Sequence, residues 1–195
     1  MRNKKLFILT ISAVLFAAAL SSCAKPPTAE MDAAAAAVAG AEADADAKTY
    51  APDSVKRAVD SLARMRAEAE AKRYDAAKAL AQETIQAAEK AIADGKAGLE
   101  RTKNEATQLI GAAKAAAVEA ENALAAARQR RVPALDFAAL GRDIESAKRT
   151  TAGAESDFSG ANYKGAVEKA QAARTSLGEV VNRISAAVRA VSSKK

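Results

Sequence analysis

The chain has 195 residues, of which 56 are alanine and only 4% are aromatic, and it contains no histidine or tryptophan. This composition favours an all-helical protein with thin cores and leaves too few strand-forming residues for a sheet. Because histidine is the commonest general base and metal ligand, we predict no enzyme, no cofactor and no metal site.

The first 22 residues have the pattern of a secretory signal peptide. Three basic residues near the amino terminus precede an apolar run from Leu6 to Leu20. A membrane-spanning helix needs about 20 apolar residues, so this run is too short to span, and we expect residues 1–22 to be removed. Their removal lowers the formal net charge from +6 to +3.

The motif Leu20-Ser21-Ser22-Cys23 follows this run and contains the one cysteine of the chain. It resembles the bacterial lipobox, in which an aliphatic residue and two small residues precede an invariant cysteine. The resemblance implies cleavage between Ser22 and Cys23 and acyl chains on Cys23, which hold the protein at a membrane. Two or more chains make such an anchor stable. A secreted protein with an unpaired thiol is the alternative.

The residues after Cys23 bear on location. Ala24 stands where an aspartate would favour retention at the inner membrane in some double-membrane bacteria. We therefore expect the bacterial envelope, on the periplasmic side of the outer membrane rather than at the inner membrane or the cell surface. Chromosomal nucleic acid is not an expected partner there. Residues 23–28 are predicted to be a tether, because Pro26-Pro27 favours an extended chain.

Residues 29–49 are predicted to form an Ala-rich helix with Thr28 as its N-cap. Its large apolar residues are Met31 and Val38 alone, so the helix has little to bury. Three roles of this helix remain open: it packs on the rest of the chain, it pairs with another copy, or it serves as a spacer.

Residues 51–94 are predicted to form an antiparallel helical hairpin that turns near Lys72 to Asp75. The stripe that marks its first helix comprises Val55, Val59, Leu62, Met65 and Ala69. One register places three pairs level, namely Val55 with Ile92, Val59 with Ala88, and Leu62 with Ile85.

Residues 95–131 are predicted to form an Ala-rich connecting helix. Gly95 and Gly98 each cost a helix about 1 kcal/mol relative to alanine, so we expect a kink or tight turn there. The predicted seam beyond it is mostly alanine: Leu99, Ala106, Leu109, Ala113, Ala116, Ala120, Ala123 and Ala127. Such a seam buries little area, and we expect it to pack against a neighbouring helix or to support a homo-oligomer.

Residues 133–192 are predicted to form a second antiparallel hairpin. Apolar residues recur every three or four positions on both sides of a turn at Ser159 to Asn162. Folding at that turn sets Phe158 beside Tyr163, Ile144 beside Leu177, and Phe137 beside Ile184. The middle of the hairpin is lined by small residues, so the two helices should approach closely there.

Two segments share the pattern Tyr-x-x-Ala-x-x-x-Ala, one beginning at Tyr74 and the other at Tyr163. The pattern is similar to the second helix of tetratricopeptide repeats, which implies helical hairpins that bind peptides. Tyr50-Ala51-Pro52 followed by Tyr74-x-x-Ala also resembles an uncharacterised family of small Ala-rich bacterial lipoproteins, over about residues 29–94. This resemblance implies a lipid anchor and an all-helical domain of unknown function.

The chain ends with Lys194-Lys195. This end resembles that of the murein lipoprotein, a lipidated helical coiled coil whose terminal lysine is joined to peptidoglycan. The resemblance implies that the amine of Lys195 is a candidate for peptidoglycan attachment. The alternative is that two lysines stabilise the negative end of a helix dipole.

The densest positive cluster comprises Arg128, Arg130 and Arg131, with Arg142, Lys148 and Arg149 nearby in sequence. It is a candidate contact for an anionic polymer or a lipid headgroup. The alternative is that three arginines before Pro133 stabilise the end of a helix.

Taken together, these patterns predict elongated antiparallel helical hairpins, coiled-coil-like or tetratricopeptide-like, in one extracytoplasmic unit. The predicted role is structural, scaffolding or protein interaction, with an envelope protein or peptidoglycan as the partner. A surface-exposed binding protein or antigen that faces a host is the alternative.

Overall fold

The computed structural model describes residues 25–133 and 135–192, which fold into six α-helices with no strand among them. The helices are α1 (Thr28–Ala43), α2 (Ala45–Tyr50), α3 (Pro52–Glu70), α4 (Tyr74–Gln129), α5 (Phe137–Ser159) and α6 (Tyr163–Ser192). The predicted all-α fold is confirmed. The predictions for residues 1–22, Cys23 and Lys195 lie outside the described residues.

The chain forms two compact units, whereas the sequence patterns predicted one. The first unit ends at Lys96 and the second begins at Ala97, inside α4, so this helix supplies residues to both. The tight turn that was one of the two expectations at Gly95 is not formed, because α4 is helical throughout. A Cβ atom on Gly95 would lie 2.5 Å from the Cα atom of Ala47. Gly95 therefore permits the close approach of α2 to α4 and does not end the helix.

In the first unit, α1 packs on the hairpin formed by α3 and the start of α4. Its buried residues Ala34, Val38 and Ala41 share a core with Leu62 and Met65. An ion pair of 2.9 Å joins Glu30 in α1 to Lys78 in α4. The Ala-rich helix thus packs within its own unit.

The predicted helix over residues 29–49 is interrupted at Asp44. The Asp44 carboxylate accepts a hydrogen bond of 2.7 Å from the Ala47 N–H and caps α2. Thr28 is the first residue of α1, and Pro27 occupies the N-cap position without a side-chain hydrogen bond. The sequence pattern missed the break because alanine continues on both sides of it.

The first hairpin is confirmed, but its buried face differs from the predicted stripe. α3 buries Ser54, Ala58 and Ser61 together with Leu62 and Met65, whereas Val55 and Val59 are only partly buried. The Ser61 and Thr84 hydroxyls form a hydrogen bond of 2.8 Å between the two helices. This pair lies next to the predicted pair of Leu62 and Ile85.

In the second unit, α5 and α6 form the hairpin that the sequence predicts. The buried residues are Leu140, Ile144, Ala147, Thr151 and Ala154 in α5, and Ala166, Ala170, Ala173, Leu177, Val180 and Ile184 in α6. The rings of Phe158 and Tyr163 meet edge to face with centroids 5.2 Å apart.

The second half of α4 packs on this hairpin, as expected of a neighbouring helix. Ile110 and Leu124 are buried against it, although the predicted seam omitted both. The predicted seam residues Leu109, Ala116 and Ala123 are only partly buried.

The two copies of the Tyr-x-x-Ala pattern follow turns of the same kind. Lys72 and Ala161 have positive φ angles of 58° and 59°. In each turn the next residue donates a backbone hydrogen bond five residues back, from Arg73 to Glu68 and from Asn162 to Asp157. This is the Schellman arrangement, in which glycine usually takes the left-handed position. Arg131, with φ 51°, occupies the corresponding place after α4.

Candidate functional site

A groove of about 750 Å³ lies between α4 and α5 in the second unit. Leu124 and Ile144, both buried, line its floor, and Arg128, Arg142 and Arg149 line its rim. We call this feature the basic groove. Its arginines come from two helices that the core of the unit holds together.

Arg128 is held in place by the start of α5. Its Nη2 atom donates a hydrogen bond of 3.3 Å to the carbonyl oxygen of Phe137, and its guanidinium carbon lies 5.8 Å from the centre of the Phe137 ring. Such a cation–π contact adds attraction beyond packing. The residue therefore supports the connection between the helices while its charge faces the groove.

Two carboxylates in the basic groove are already bonded to a lysine. Lys148 donates hydrogen bonds of 2.8 Å to Glu121 and 3.0 Å to Glu145. These bonds, Glu121 first, raise the pKa of the Lys148 amine, so the lysine stays charged at neutral pH. The three charges sum to −1, and the three arginines leave the groove positive.

Arg142 and Arg149 are exposed, and neither forms a hydrogen bond or ion pair with the part of the chain that the structure describes. They lie seven residues apart on α5, which is two helical turns or about 10 Å. The nearby Asp136 carboxylate accepts hydrogen bonds from the first backbone N–H groups of α5 and does not pair with either arginine. Backbone hydrogen bonds from Ala139 and then Ala138 lower the pKa of its carboxyl, and the charge of Arg142 contributes further.

The excess positive charge of the second unit lies in the part of the sequence that includes most of this groove. Residues 128–149 contain six basic and three acidic side chains, whereas the rest of residues 97–192 contains eight of each. The excess positive charge of the unit therefore belongs to the segment that supplies the three arginines.

The structure groups the arginines differently from the sequence cluster. Arg130 and Arg131 are exposed at the end of α4 and do not line the groove, whereas Arg128 does. Arg142 and Arg149 join Arg128 because they lie on the face of α5 beside α4. The seven-residue spacing of Arg142 and Arg149 places both on one face of a helix, and it was the sequence signal that could have grouped them. The other predicted sites, Ser22, Cys23 and Lys195, lie outside the described residues.

A second polar cluster joins α3 to α4 in the first unit. The Ser54 hydroxyl, in a residue 7% exposed, donates to Asp94 at 2.7 Å and accepts from Arg57 at 2.6 Å. A hydrogen bond from Lys90, followed by that from Ser54, lowers the pKa of the Asp94 carboxyl. A carboxylate with a lowered pKa is a poor general base for activating a serine. The cluster instead ties the two helices together.

The described residues contain neither a metal-binding cluster nor a membrane-spanning helix. No group of three or more acidic, cysteine or histidine side chains within them is placed to hold a metal ion. None of their helices is long and apolar enough to cross a membrane.

Comparison with known proteins gives one match. Residues 29–109 match a family described as a domain of unknown function (DUF4398). The match covers α1 to α3 and α4 as far as Leu109, which confirms the predicted resemblance to an uncharacterised family. The basic groove lies beyond the matched residues. No curated protein and no solved structure matches the chain.

Proposed function

We propose that this protein is a lipid-anchored lipoprotein of the bacterial envelope with a scaffolding or protein-interaction role. The observation that carries the proposal is the motif Leu20-Ser21-Ser22-Cys23 directly after an apolar run. Acyl chains on Cys23 would hold the protein at a membrane, and the two helical units would lie outside it.

The surface of the helices supports an interaction role. Several ion pairs join exposed side chains of a single helix, as in the pairs of Lys56 with Asp60 and Lys148 with Glu145. Pairs of this kind contribute solubility and a small stabilisation of the helices. An envelope scaffold would meet its partner through charged, exposed helical faces of this kind.

Replacement of the cysteine tests the anchor. Cys23→Ser should move the protein from the membrane fraction to the soluble fraction and abolish labelling by a fatty-acid analogue. Ser21→Ala is the matched control, because it keeps a small residue in the motif and should leave both properties unchanged. Full labelling of Cys23→Ser would refute the anchor.

Attachment to peptidoglycan is a separate part of the proposal. Transpeptidation would join the amine of Lys195 to a peptidoglycan stem peptide, with loss of the stem peptide's terminal residue. Lys195→Arg should abolish the protein fraction that is released only by peptidoglycan digestion, because a guanidinium is not a nucleophile at neutral pH. Lys194→Arg is the control. An unchanged bound fraction in Lys195→Arg would refute attachment at this residue.

Protease treatment of intact cells tests which side of the outer membrane the protein faces. A periplasmic protein should be cleaved only after the outer membrane is permeabilised. Cleavage on intact cells would instead favour a surface-exposed binding protein.

A further inference from the structure

We propose that the basic groove binds a linear glycan that carries widely spaced carboxylates. This inference does not depend on the anchor at Cys23, because every residue that carries it lies within the second unit. It rests on the arrangement of Arg128, Arg142 and Arg149 and on the two carboxylates between them.

Arginine suits a carboxylate ligand. The planar guanidinium presents parallel N–H donors that match the two oxygens of a carboxylate. Arg142 and Arg149 are free to form such pairs, since neither forms a hydrogen bond or ion pair with the described residues, and the Asp136 carboxylate near Arg142 accepts backbone N–H bonds instead. Arg128 keeps its contact with Phe137 and adds positive charge from the opposite wall.

The spacing of the charges favours a sparsely charged polymer. Arg142 and Arg149 are about 10 Å apart along α5. A glycan with one carboxylate on every second sugar repeats its charge over a comparable length. Such a chain could pair with both arginines while it lies along the open groove.

Glu145 disfavours a densely charged polymer. It lies between Arg142 and Arg149 on the groove wall, and Glu121 lies across from it. Although Lys148 bonds both carboxylates, the three groups together remain negative. A polymer with a negative charge on every unit would place a charge against this negative centre whenever it pairs with both arginines, and that repulsion would weaken its binding. Polyphosphate and nucleic acid belong to that class.

Calorimetric titration of the full-length protein in detergent tests the proposal. Hyaluronan oligosaccharides are the probe, because they carry one carboxylate per disaccharide, and chitin oligosaccharides are the neutral counterpart. Hyaluronan should bind with an affinity that falls as salt is added, and chitin should not bind. The variant with Arg142→Gln and Arg149→Gln should bind hyaluronan about tenfold more weakly.

The matched control is the variant with Arg101→Gln and Arg174→Gln. It removes two exposed arginines of the same unit that do not line the groove. Both double variants should melt at the temperature of the unaltered protein, which separates lost binding from lost folding. An equal loss of affinity in the control would show that only net charge matters, and it would overturn the proposal.

Two densely charged ligands test whether the groove prefers a sparsely charged polymer. Polyphosphate and vesicles that contain phosphatidylglycerol should bind more weakly than hyaluronan at the same concentration of negative charge. Glu145→Gln should raise the affinity for polyphosphate more than the affinity for hyaluronan. Tighter binding of polyphosphate or vesicles by the unaltered protein, or no binding of hyaluronan, would overturn the proposal.

Discussion

The two units use different side chains to hold their helical segments together. In the first unit, alanines of α1 pack on the hairpin, and the interior contains the hydroxyl pair of Ser61 and Thr84. In the second unit, larger apolar side chains such as Ile144 and Leu177 share the core with alanines. Its one buried polar residue among those described, Thr151, bonds to the Ala147 carbonyl of its own helix.

The difference shows two ways to stabilise helices with few aromatic residues. Small residues let backbones approach closely, and the close approach allows polar groups of two helices to meet. Branched and long aliphatic residues fill the wider space between helices and contribute mainly by burial. The first unit should therefore be sensitive to added atoms, and the second unit should be sensitive to lost ones.

The largest expected effect is the removal of a core side chain from the second unit. Leu177 is 0% exposed and shares a core with Ile144, the residue that the predicted register sets beside it. Leu177→Ala should lower the free energy of unfolding by about 2–5 kcal/mol, because it removes buried methyl groups and leaves a cavity. Chemical denaturation measures the loss. Val118→Ala is the control, since Val118 is 57% exposed and should change stability by less than about 0.5 kcal/mol.

The next effect should come from an added atom in the first unit. Gly95→Ala places a Cβ atom against the backbone of Ala47, where no flexible side chain can move away. We expect a loss of about 1–3 kcal/mol, with faster hydrogen exchange at the amides of α2. Gly111→Ala is the matched control in the same helix. Nothing lies within 4 Å of its added Cβ atom, so it should stabilise the helix by up to about 1 kcal/mol. Equal stabilisation by both changes would contradict the close approach.

A smaller effect is expected from the buried hydroxyl pair. Ser61→Ala removes one partner, but the Thr84 hydroxyl keeps its bond of 2.7 Å to the Leu80 carbonyl. The cost should be about 1 kcal/mol, and a double-mutant cycle with Thr84→Val should show coupling. Thr151→Val in the second unit is the comparison, and we expect it to cost less because its hydroxyl joins no second helix. A larger loss at Thr151 would reverse the contrast between the units.

Sequence periodicity predicted the second hairpin well because its buried face is the face with the large apolar residues. The face of α3 was predicted less well. There Ala58 shares a core with α1 and Ser61 bonds to Thr84 in α4, and such small residues give no periodic signal. The break at Asp44 and the role of Gly95 were missed for a related reason, since both depend on tertiary contact with α2 or on local capping.

The candidate site was predicted only in part. Sequence proximity grouped Arg128 with Arg130 and Arg131, but the turn at Arg131 separates these residues from the groove. The partnership of Arg128 with Arg142 and Arg149 depends on how α5 packs on α4. Charge counts alone cannot supply that information, whereas the contact of Arg128 with Phe137 fixes it.

The smallest expected effect concerns a polar residue at a helix end of the second unit. Backbone N–H bonds, from Ala139 first, lower the pKa of Asp136 in the folded protein. The stabilisation that the Asp136 carboxylate contributes is therefore fully present above the pKa of an unfolded aspartate, about 3.9. It is lost as the pH falls through the lower pKa of the folded protein. Asp136→Ser caps the helix without a charge, so the melting temperature of this variant should fall less steeply below about pH 4. Circular dichroism melts of both proteins measure the difference. Parallel curves would mean that the charge of the Asp136 carboxylate does not stabilise α5, and the capping hydrogen bonds alone would then hold the start of this helix.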